Sequence, residues 1–366
     1  MKVAICINTA WNIANFREGL IRQLREDGHD VIAVAPEDEF VPAIEALGAE
    51  FIHMPMDNQG TNPLRDLRLF WRYFRLFKQE CPDAVFTYTV KPNIYASMAG
   101  HLLKIPVINN VSGLGATTIS ESWVSKVVTT LYRLAFRRSQ TVFFQNNDDL
   151  ELFIERRLVR SEQAKRLPGS GINLSKFVVT PLPTSETPRF LLIARMLRDK
   201  GVVEFVEAAR TLKQAGVTAE CCLLGPADVQ NPAAISMQEI AAWETEGVIK
   251  YLGVTTDVAA EITKATCVVL PSYREGTPRA LLEAAAIGRP IVATEAVGCR
   301  EVVEDGVNGF LCKVRDGQDL YTKMAHIAAM SHDQLTKMGQ KGREKVEREF
   351  DERIVIDRYL EQLVLL

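Results

Sequence analysis

The 366 residues hold no apolar run approaching the roughly 18 to 20 needed to span a bilayer. The opening stretch, MKVAICINTAWNIANFREGL, is apolar for only a few residues, the pattern of a buried strand and not of a secretory leader. There is no repeat of fixed period and no Gly-rich, Gln-rich or acidic tail. A net charge of −3 argues against nucleic acid as the main partner, because phosphate backbones demand broad basic surfaces. The cysteines (Cys6, Cys81, Cys221, Cys222, Cys267, Cys299 and Cys312) are odd in number, form no C-x-x-C pair and fall mostly in strand-like runs. They read as small buried thiols of a reducing compartment. No two aspartates stand two apart, so a D-x-D metal motif is missing. No glycine precedes Gly19, so the first strand is not followed by the G-x-G-x-x-G of a dinucleotide site. The expected location is the cytosol or the inner face of a membrane.

What is present is an ordinary folding composition, 47% hydrophobic and 24% charged, on a chain long enough for two domains. Short β-rich runs alternate with amphipathic stretches. In the first half the runs are 2–8, 30–36, 50–55, 83–89, 106–111 and 141–146; after residue 188 they are 189–195, 220–226, 248–254, 267–272, 290–294 and 309–314. Several are apolar without alternation, as parallel strands buried on both faces should be. Between the halves, VVTPLPTSETPRF is rich in proline, the mark of a linker. The expected layout is an α/β chain of two doubly wound, Rossmann-like domains facing a cleft. Residues 1–177 form the first, 178–188 the linker and 189–345 the second. A final helical stretch, 346–366, is left open to pack back on the first domain.

Ligands of open α/β sheets bind beyond the carboxyl ends of the strands, so those turns carry the functional question. One reads PSYREGTPRALLE, residues 271–283. Thr277 fits an N-cap, Pro278 the first helical position and Gly276 a close backbone approach. A helix opening straight from a strand end aims its N–H groups at an anion. Glu275 stands where it can accept from hydroxyls, and Glu283 where it can reach a ribose diol. The plainer alternative makes Glu275 a dipole-compensating residue and Glu283 a solvated helix charge. Arg195 at another strand end and Lys200 at the next helix start shift the balance. Cations there oppose a helix dipole unless an anion lies between them and residue 277. Gly225 and Leu252, in LLGP and YLG, end the two following strands.

The run PSYREGTPRALLEAAAIGRPIVATEAVGCREVVEDGVNGFL resembles the signature of retaining, nucleotide-sugar-dependent glycosyltransferases of glycosyltransferase family 4, which have the GT-B fold. The order of motifs extends the resemblance over nearly the whole chain. It implies that Glu275 contacts the transferred sugar and Glu283 the ribose. Arg195 and Lys200 would neutralise the diphosphate leaving group. Gly225, Leu252, Gly276, Thr277 and Pro278 would complete the donor site. The implied reaction needs no cofactor beyond a nucleotide sugar, expected to be a UDP-linked N-acetylhexosamine. Cations and a helix end would act in place of a metal, with retention of anomeric configuration.

On the acceptor side, INTAWNIANFREG replaces the glycine-rich first loop of many family members, and Arg17 is either an acceptor-phosphate contact or an exposed helix arginine. TYTVKPNIY and NNVSGLGATT bring Lys91, Asn93, Ser112 and Gly113 toward the acceptor. Many relatives carry a histidine near these loops; the histidines of this chain (His29, His53, His101, His326, His332) all lie elsewhere. KPN and VSGLG most resemble members that extend polyprenyl-diphosphate-linked sugars. NPLRDLRLFWRYFRLFKQ carries Arg65, Arg68, Arg72, Arg75 and Lys78 against Asp66 alone, interleaved with aromatics such as Trp71. That pattern fits a helix lying on an anionic membrane, as does KVVTTLYRLAFRRS (126–139), or else two ordinary helices with basic outer faces. The rival functions are a nucleotide-sugar 2-epimerase of the same fold, a transferase with a soluble acceptor, and a double Rossmann protein of non-catalytic or dehydrogenase type.

Overall fold

The computed structural model describes residues 1–57, 60, 62–113 and 123–366. The chain divides into two compact units, Met1–Ser170 with Glu352–Leu366, and Gly171–Asp351.

The first unit is built on seven parallel strands: β1 (Lys2–Cys6), β2 (Asp30–Ala35), β3 (Glu50–His53), β4 (Ala84–Tyr88), β5 (Val107–Val111), β6 (Thr141–Phe144) and β7 (Ala164–Arg166). Their order is β3-β2-β1-β4-β5-β6-β7. Central strands such as β4, AVFTY, are buried at every position. They carry hydrophobic side chains on both faces because helices cover both. One face packs on the helix Pro63–Glu80 through Leu69, Tyr73 and Phe77. The other takes the final helix, Glu352–Val364, whose Tyr359 ring lies 4.9 Å from Phe86 and 5.2 Å from Phe143. Gln362 adds a buried hydrogen bond, accepting from Thr141 Oγ1 at 2.6 Å.

The second unit has six parallel strands: β8 (Arg189–Ile193), β9 (Glu220–Leu224), β10 (Lys250–Tyr251), β11 (Cys267–Leu270), β12 (Ile291–Thr294) and β13 (Gly309–Cys312). They run in the order β10-β9-β8-β11-β12-β13. The proline-rich stretch is not free of this unit. Leu182 belongs to its core, and Thr180 N donates to Ile287 O at 3.2 Å. Arg289, fully buried, donates from Nη1 to the carbonyls of Thr180 and Ile287. Its Nη2 donates to Thr180 Oγ1 and the carbonyls of Pro181 and Thr263. Among the described residues no carboxylate pairs with it, and burial lowers its pKa to about 10. The units therefore part at Ser170/Gly171, ahead of the proline-rich stretch and not within it: Ile172 and Phe177 are already core residues of the second unit. Among the described residues no helix is long and apolar enough to cross a membrane.

Candidate active site

In the second unit the strand order reverses between β8 and β11, so the crevice beyond their carboxyl ends is the place where such sheets hold ligands. The chain leaving β8 passes through Arg195 into the 3-10 turn Arg198–Lys200 and then the helix Val202–Gln214. The chain leaving β11 passes through residues 271–278 into the helix Arg279–Ile287. These two segments are knitted together. Tyr273 N donates to Asp199 O at 2.9 Å, and Lys200 Nζ donates to Glu275 Oε1 at 2.5 Å. The Tyr273 hydroxyl donates to Glu204 Oε1 at 2.5 Å. Gly201 sits at φ +71, where an added Cβ would lie 2.1 Å from Pro271 O, so both conformation and space demand glycine.

The structure therefore brings Lys200 and Glu275 into one ion pair, with side chains 18% and 15% exposed. Arg195 shares the same loop, exposed, its side chain without a partner among the described residues. That loop is fixed from beneath: Met196 N donates to Pro226 O and Ile235 N to Met196 O, both at 2.9 Å. Gly225 belongs to the same corner. Its φ is +137, and a Cβ there would stand 1.9 Å from Ala194 O. Gly225 N donates to Gly253 O at 2.8 Å, the Tyr251 hydroxyl to Gly225 O at 2.8 Å, and half-buried Leu252 to Leu223 O. The ends of β8, β9 and β10 thus converge.

The helix after β11 starts one position later than expected. Pro278 has ψ 114, and its carbonyl accepts from Leu281 N at 3.1 Å and Leu282 N at 3.3 Å. Pro278, not Thr277, is the N-cap residue, and Arg279 is the first helical one. Proline has no side-chain acceptor, so the N-cap residue itself makes no side-chain cap. Gly276 and Pro278 are buried and Thr277 half-buried beside this helix start. Glu275 N is held by Val297 O at 2.9 Å. Glu283 is not a solvated helix charge: its side chain is 13% exposed and accepts from Arg279 Nε at 3.1 Å. Burial raises its carboxyl above the usual range, and Arg279 and Lys176 draw it only partly back. Among the described residues, no group of three or more His, Cys, Asp or Glu could hold a metal ion.

The expected acceptor residues of the first unit are placed differently. Asn93 is fully buried, accepting from Thr87 Oγ1 at 2.7 Å and donating to Asn110 O at 2.8 Å. It ties two strand ends together and cannot meet a ligand from there. Arg17 is 4% exposed, neither a surface arginine nor an open contact. Its guanidinium lies 4.1 Å from the Tyr88 ring centroid, and its Nε has no hydrogen-bond partner among the described residues. Lys91 pairs with Asp66 at 2.7 Å, which offsets its charge. Ser112 is exposed and donates to Asn110 Oδ1 at 3.2 Å, followed by Gly113 at φ +117. The remainder of NNVSGLGATT lies outside the described residues. On the helix Pro63–Glu80, Arg68, Trp71, Arg72 and Arg75 are all exposed, with Leu64 and Leu67 beside them. A recess of about 320 Å³ between this helix and residues 55–57 is lined by Arg65, Arg68, Arg72 and Lys91 with Asp57 and Asp66.

Three side chains at the donor end escaped the sequence reading. The Arg279–Glu283 pair, four apart on one helix, was readable from spacing. Tyr273 and Glu204 were not, because their contact joins residues 69 apart.

Comparison with known proteins agrees with this layout. A family profile described as "Glycosyl transferases group 1" matches residues 187–330, and one described as "Glycosyl transferase 4-like domain" matches residues 13–169. A Campylobacter jejuni protein, N,N'-diacetylbacillosaminyl-diphospho-undecaprenol alpha-1,3-N-acetylgalactosaminyltransferase, is 28% identical over 98% of this chain and 97% of its own. An Escherichia coli protein, UDP-Gal:alpha-D-GlcNAc-diphosphoundecaprenol alpha-1,3-galactosyltransferase, is 23% identical over 69% of this chain and 68% of its own. The crystal structure of Anabaena Alr3699/HepE in complex with UDP superposes with a TM-score of 0.81 at 19% identity, covering 100% of both chains. The chain belongs to the glycosyltransferases of family 4 and has their GT-B fold.

Proposed function

We propose that the chain transfers an N-acetylhexosamine from a UDP-linked donor to a polyprenyl-diphosphate-linked saccharide, with retention and without a metal ion. The observation that carries the donor half is the Lys200–Glu275 pair beside Arg195 at the β8/β11 switch point. Breaking a glycosyl–phosphate bond builds negative charge on the departing diphosphate and positive charge on the sugar. Lys200 and Arg195 neutralise the diphosphate, helped by the helix that opens at Arg279. An ammonium has three N–H donors, so Lys200 can hold Glu275 and a phosphate oxygen together. Glu275 accepts from the sugar hydroxyls, and Glu283, braced by Arg279, takes the ribose diol. Gly225, Leu252, Gly276, Thr277 and Pro278 form the surrounding walls.

Support for the acceptor comes from the names of the two curated relatives, both of which specify an undecaprenyl-diphosphate-linked substrate. An acceptor of that kind resides in a membrane, and the exposed Arg68, Trp71, Arg72 and Arg75 suit an anionic leaflet on the cytoplasmic side. Ser112 and Gly113 are the acceptor-side contacts that remain. Arg17 and Lys91 would need to be released from Tyr88 and Asp66 to join them.

The test is a panel of UDP-linked N-acetylgalactosamine, N-acetylglucosamine, galactose and glucose, each incubated with a polyprenyl-diphosphate-linked saccharide, with and without chelator. The expected result is an elongated lipid-linked glycan from one of the two N-acetylhexosamines, unaffected by chelator and α-linked by NMR. A free 2-epimer formed from donor alone would replace this reading with the isomerase one. Transfer only to soluble acceptors would remove the lipid.

A further inference from the structure

We infer that Tyr273 is a positioning residue for the donor-side chemistry, holding Lys200 and Glu275 in register through Glu204; this rests on the role proposed above for that pair. Tyr273 lies two residues before Glu275, and Glu204 four residues, about one helical turn, after Lys200. The contacts Lys200–Glu275 and Glu204–Tyr273 are therefore successive rungs between the same two segments. The backbone bond from Tyr273 N to Asp199 O is a third rung, and the close approach of Gly201 to Pro271 closes the set.

The rung at Tyr273 has no stability rationale of its own. Glu204 is 8% exposed, and its second oxygen, Oε2, is buried without a hydrogen-bond partner among the described residues. Its neighbours on the helix Val202–Gln214 are core residues, among them Val202, Phe205 and Val206. An apolar side chain at position 204 would avoid desolvating a carboxylate that is only half satisfied. What the carboxylate adds is direction: it fixes the phenol, and the phenol fixes the segment that presents Glu275. The ring is also covered by the Arg315 guanidinium, 4.6 Å from its centroid. Burial, followed by the Glu204 carboxylate, pushes the phenol up to about 12, so it stays a protonated donor. Positioning of this kind matters because a displacement of about 1 Å at a reacting group can cost about a hundredfold in rate.

Tyr273→Phe keeps the ring and removes only the hydroxyl. The readouts are release of UDP from UDP-N-acetylgalactosamine and calorimetric binding of UDP itself. The expected result is a fall in kcat of about tenfold or more, the scale of one hydrogen bond to a charged group, with KM and the UDP dissociation constant within about twofold. Glu204→Ala should fall equally, and the double variant no further, because both break one contact. Glu204→Gln, whose amide oxygen accepts the same bond, should keep most of the activity. Normal kcat in Tyr273→Phe, multiplicative losses in the double variant, or a loss confined to KM would overturn the inference. Should Tyr273→Phe not fold, Glu204→Ala and Glu204→Gln decide alone, and equal losses in the two would overturn it. Lys200→Ala and Glu275→Gln run in parallel separate the two levels. Full turnover in those variants defeats the role assigned to the pair, whereas low turnover there beside a normal Tyr273→Phe defeats only the positioning role.

Discussion

The Lys200–Glu275 pair permits one test that reads stability, UDP binding and turnover in the same variants. Its atoms stand 2.5 Å apart, with the side chains 18% and 15% exposed. At an effective dielectric of about 20, unit charges about 3 Å apart attract by roughly 5 to 6 kcal/mol, and desolvation of both ions cancels much of that. Truncating one partner of a fully buried pair costs about 3 to 5 kcal/mol, because the other charge is stranded. With part of each side chain still wet, Lys200→Ala and Glu275→Ala should each cost about 2 kcal/mol. The double variant should lose about 2 to 3 kcal/mol, not the 4 of an additive sum, so the coupling is about 1 to 2 kcal/mol. Trp243 packs on the core of the second unit, so its fluorescence during urea unfolding reports on the right part of the chain. UDP at about a hundred times its dissociation constant should then stabilise the wild type by about 2.7 kcal/mol. Lys200→Ala should gain much less from UDP, since it lacks the diphosphate ligand. Turnover in each single variant should fall at least about a hundredfold, the scale of losing one charge-stabilising group. Additive losses of stability would show that the pair does not form. Undiminished stabilisation of Lys200→Ala by UDP would show that the lysine does not meet the diphosphate.

Three further outcomes are expected. Glu283→Gln should stabilise the fold while weakening UDP binding about tenfold or more, if its carboxylate accepts ribose hydroxyls. The sign follows from burial: the folded carboxyl is raised above its ordinary 4.5, so wild-type stability is fully present below that pH and lost as pH rises through the folded value. The advantage of Glu283→Gln in melting temperature should therefore grow with pH above 4.5, and a constant difference would refute it. Arg289→Met would remove the donors that hold the carbonyls of Thr180, Pro181 and Thr263 around a fully buried side chain, costing about 3 to 5 kcal/mol by urea unfolding. Arg289→Lys should not rescue it, because an ammonium cannot reproduce the planar fork. Replacing Arg68, Arg72 and Arg75 together with Glu should abolish sedimentation with phosphatidylglycerol vesicles; unchanged sedimentation would remove the membrane role of this face.

What was legible in the sequence, and what was not, follows from how far away each residue's partner lies. The strands announced themselves because parallel strands covered on both faces are apolar nearly throughout, as KVAIC, DVIAVA and TVFF are. The strand β7, a three-residue edge strand reading AKR, gave no such signal. Arg195, Lys200, Glu275 and Glu283 could be grouped from the sequence because each follows a strand end or stands on the helix beyond it, the side on which open α/β sheets hold ligands. Their pairing was not. Lys200 meets Glu275 because β8 and β11 are neighbours in the sheet, and the Arg279 that holds Glu283 is itself anchored on the Gly171 carbonyl, 108 residues away. In the first unit the same limit reversed the outcome. Lys91 looked free because its acid, Asp66, is 25 residues earlier on a helix otherwise rich in cations. Asn93 looked like a loop residue until the strands β4 and β5 closed around it, with Thr87 on one and Asn110 on the other. Both residues stand just past strand ends, as the donor-side ones do, so position alone does not separate a ligand contact from a structural one. Nor does a partner inside the fold separate them, since Lys200, Glu275 and Glu283 are ion-paired within their unit as Lys91 is. The difference lies in Arg195, left exposed with no side-chain partner among the described residues, the charge that the proposed diphosphate would neutralise.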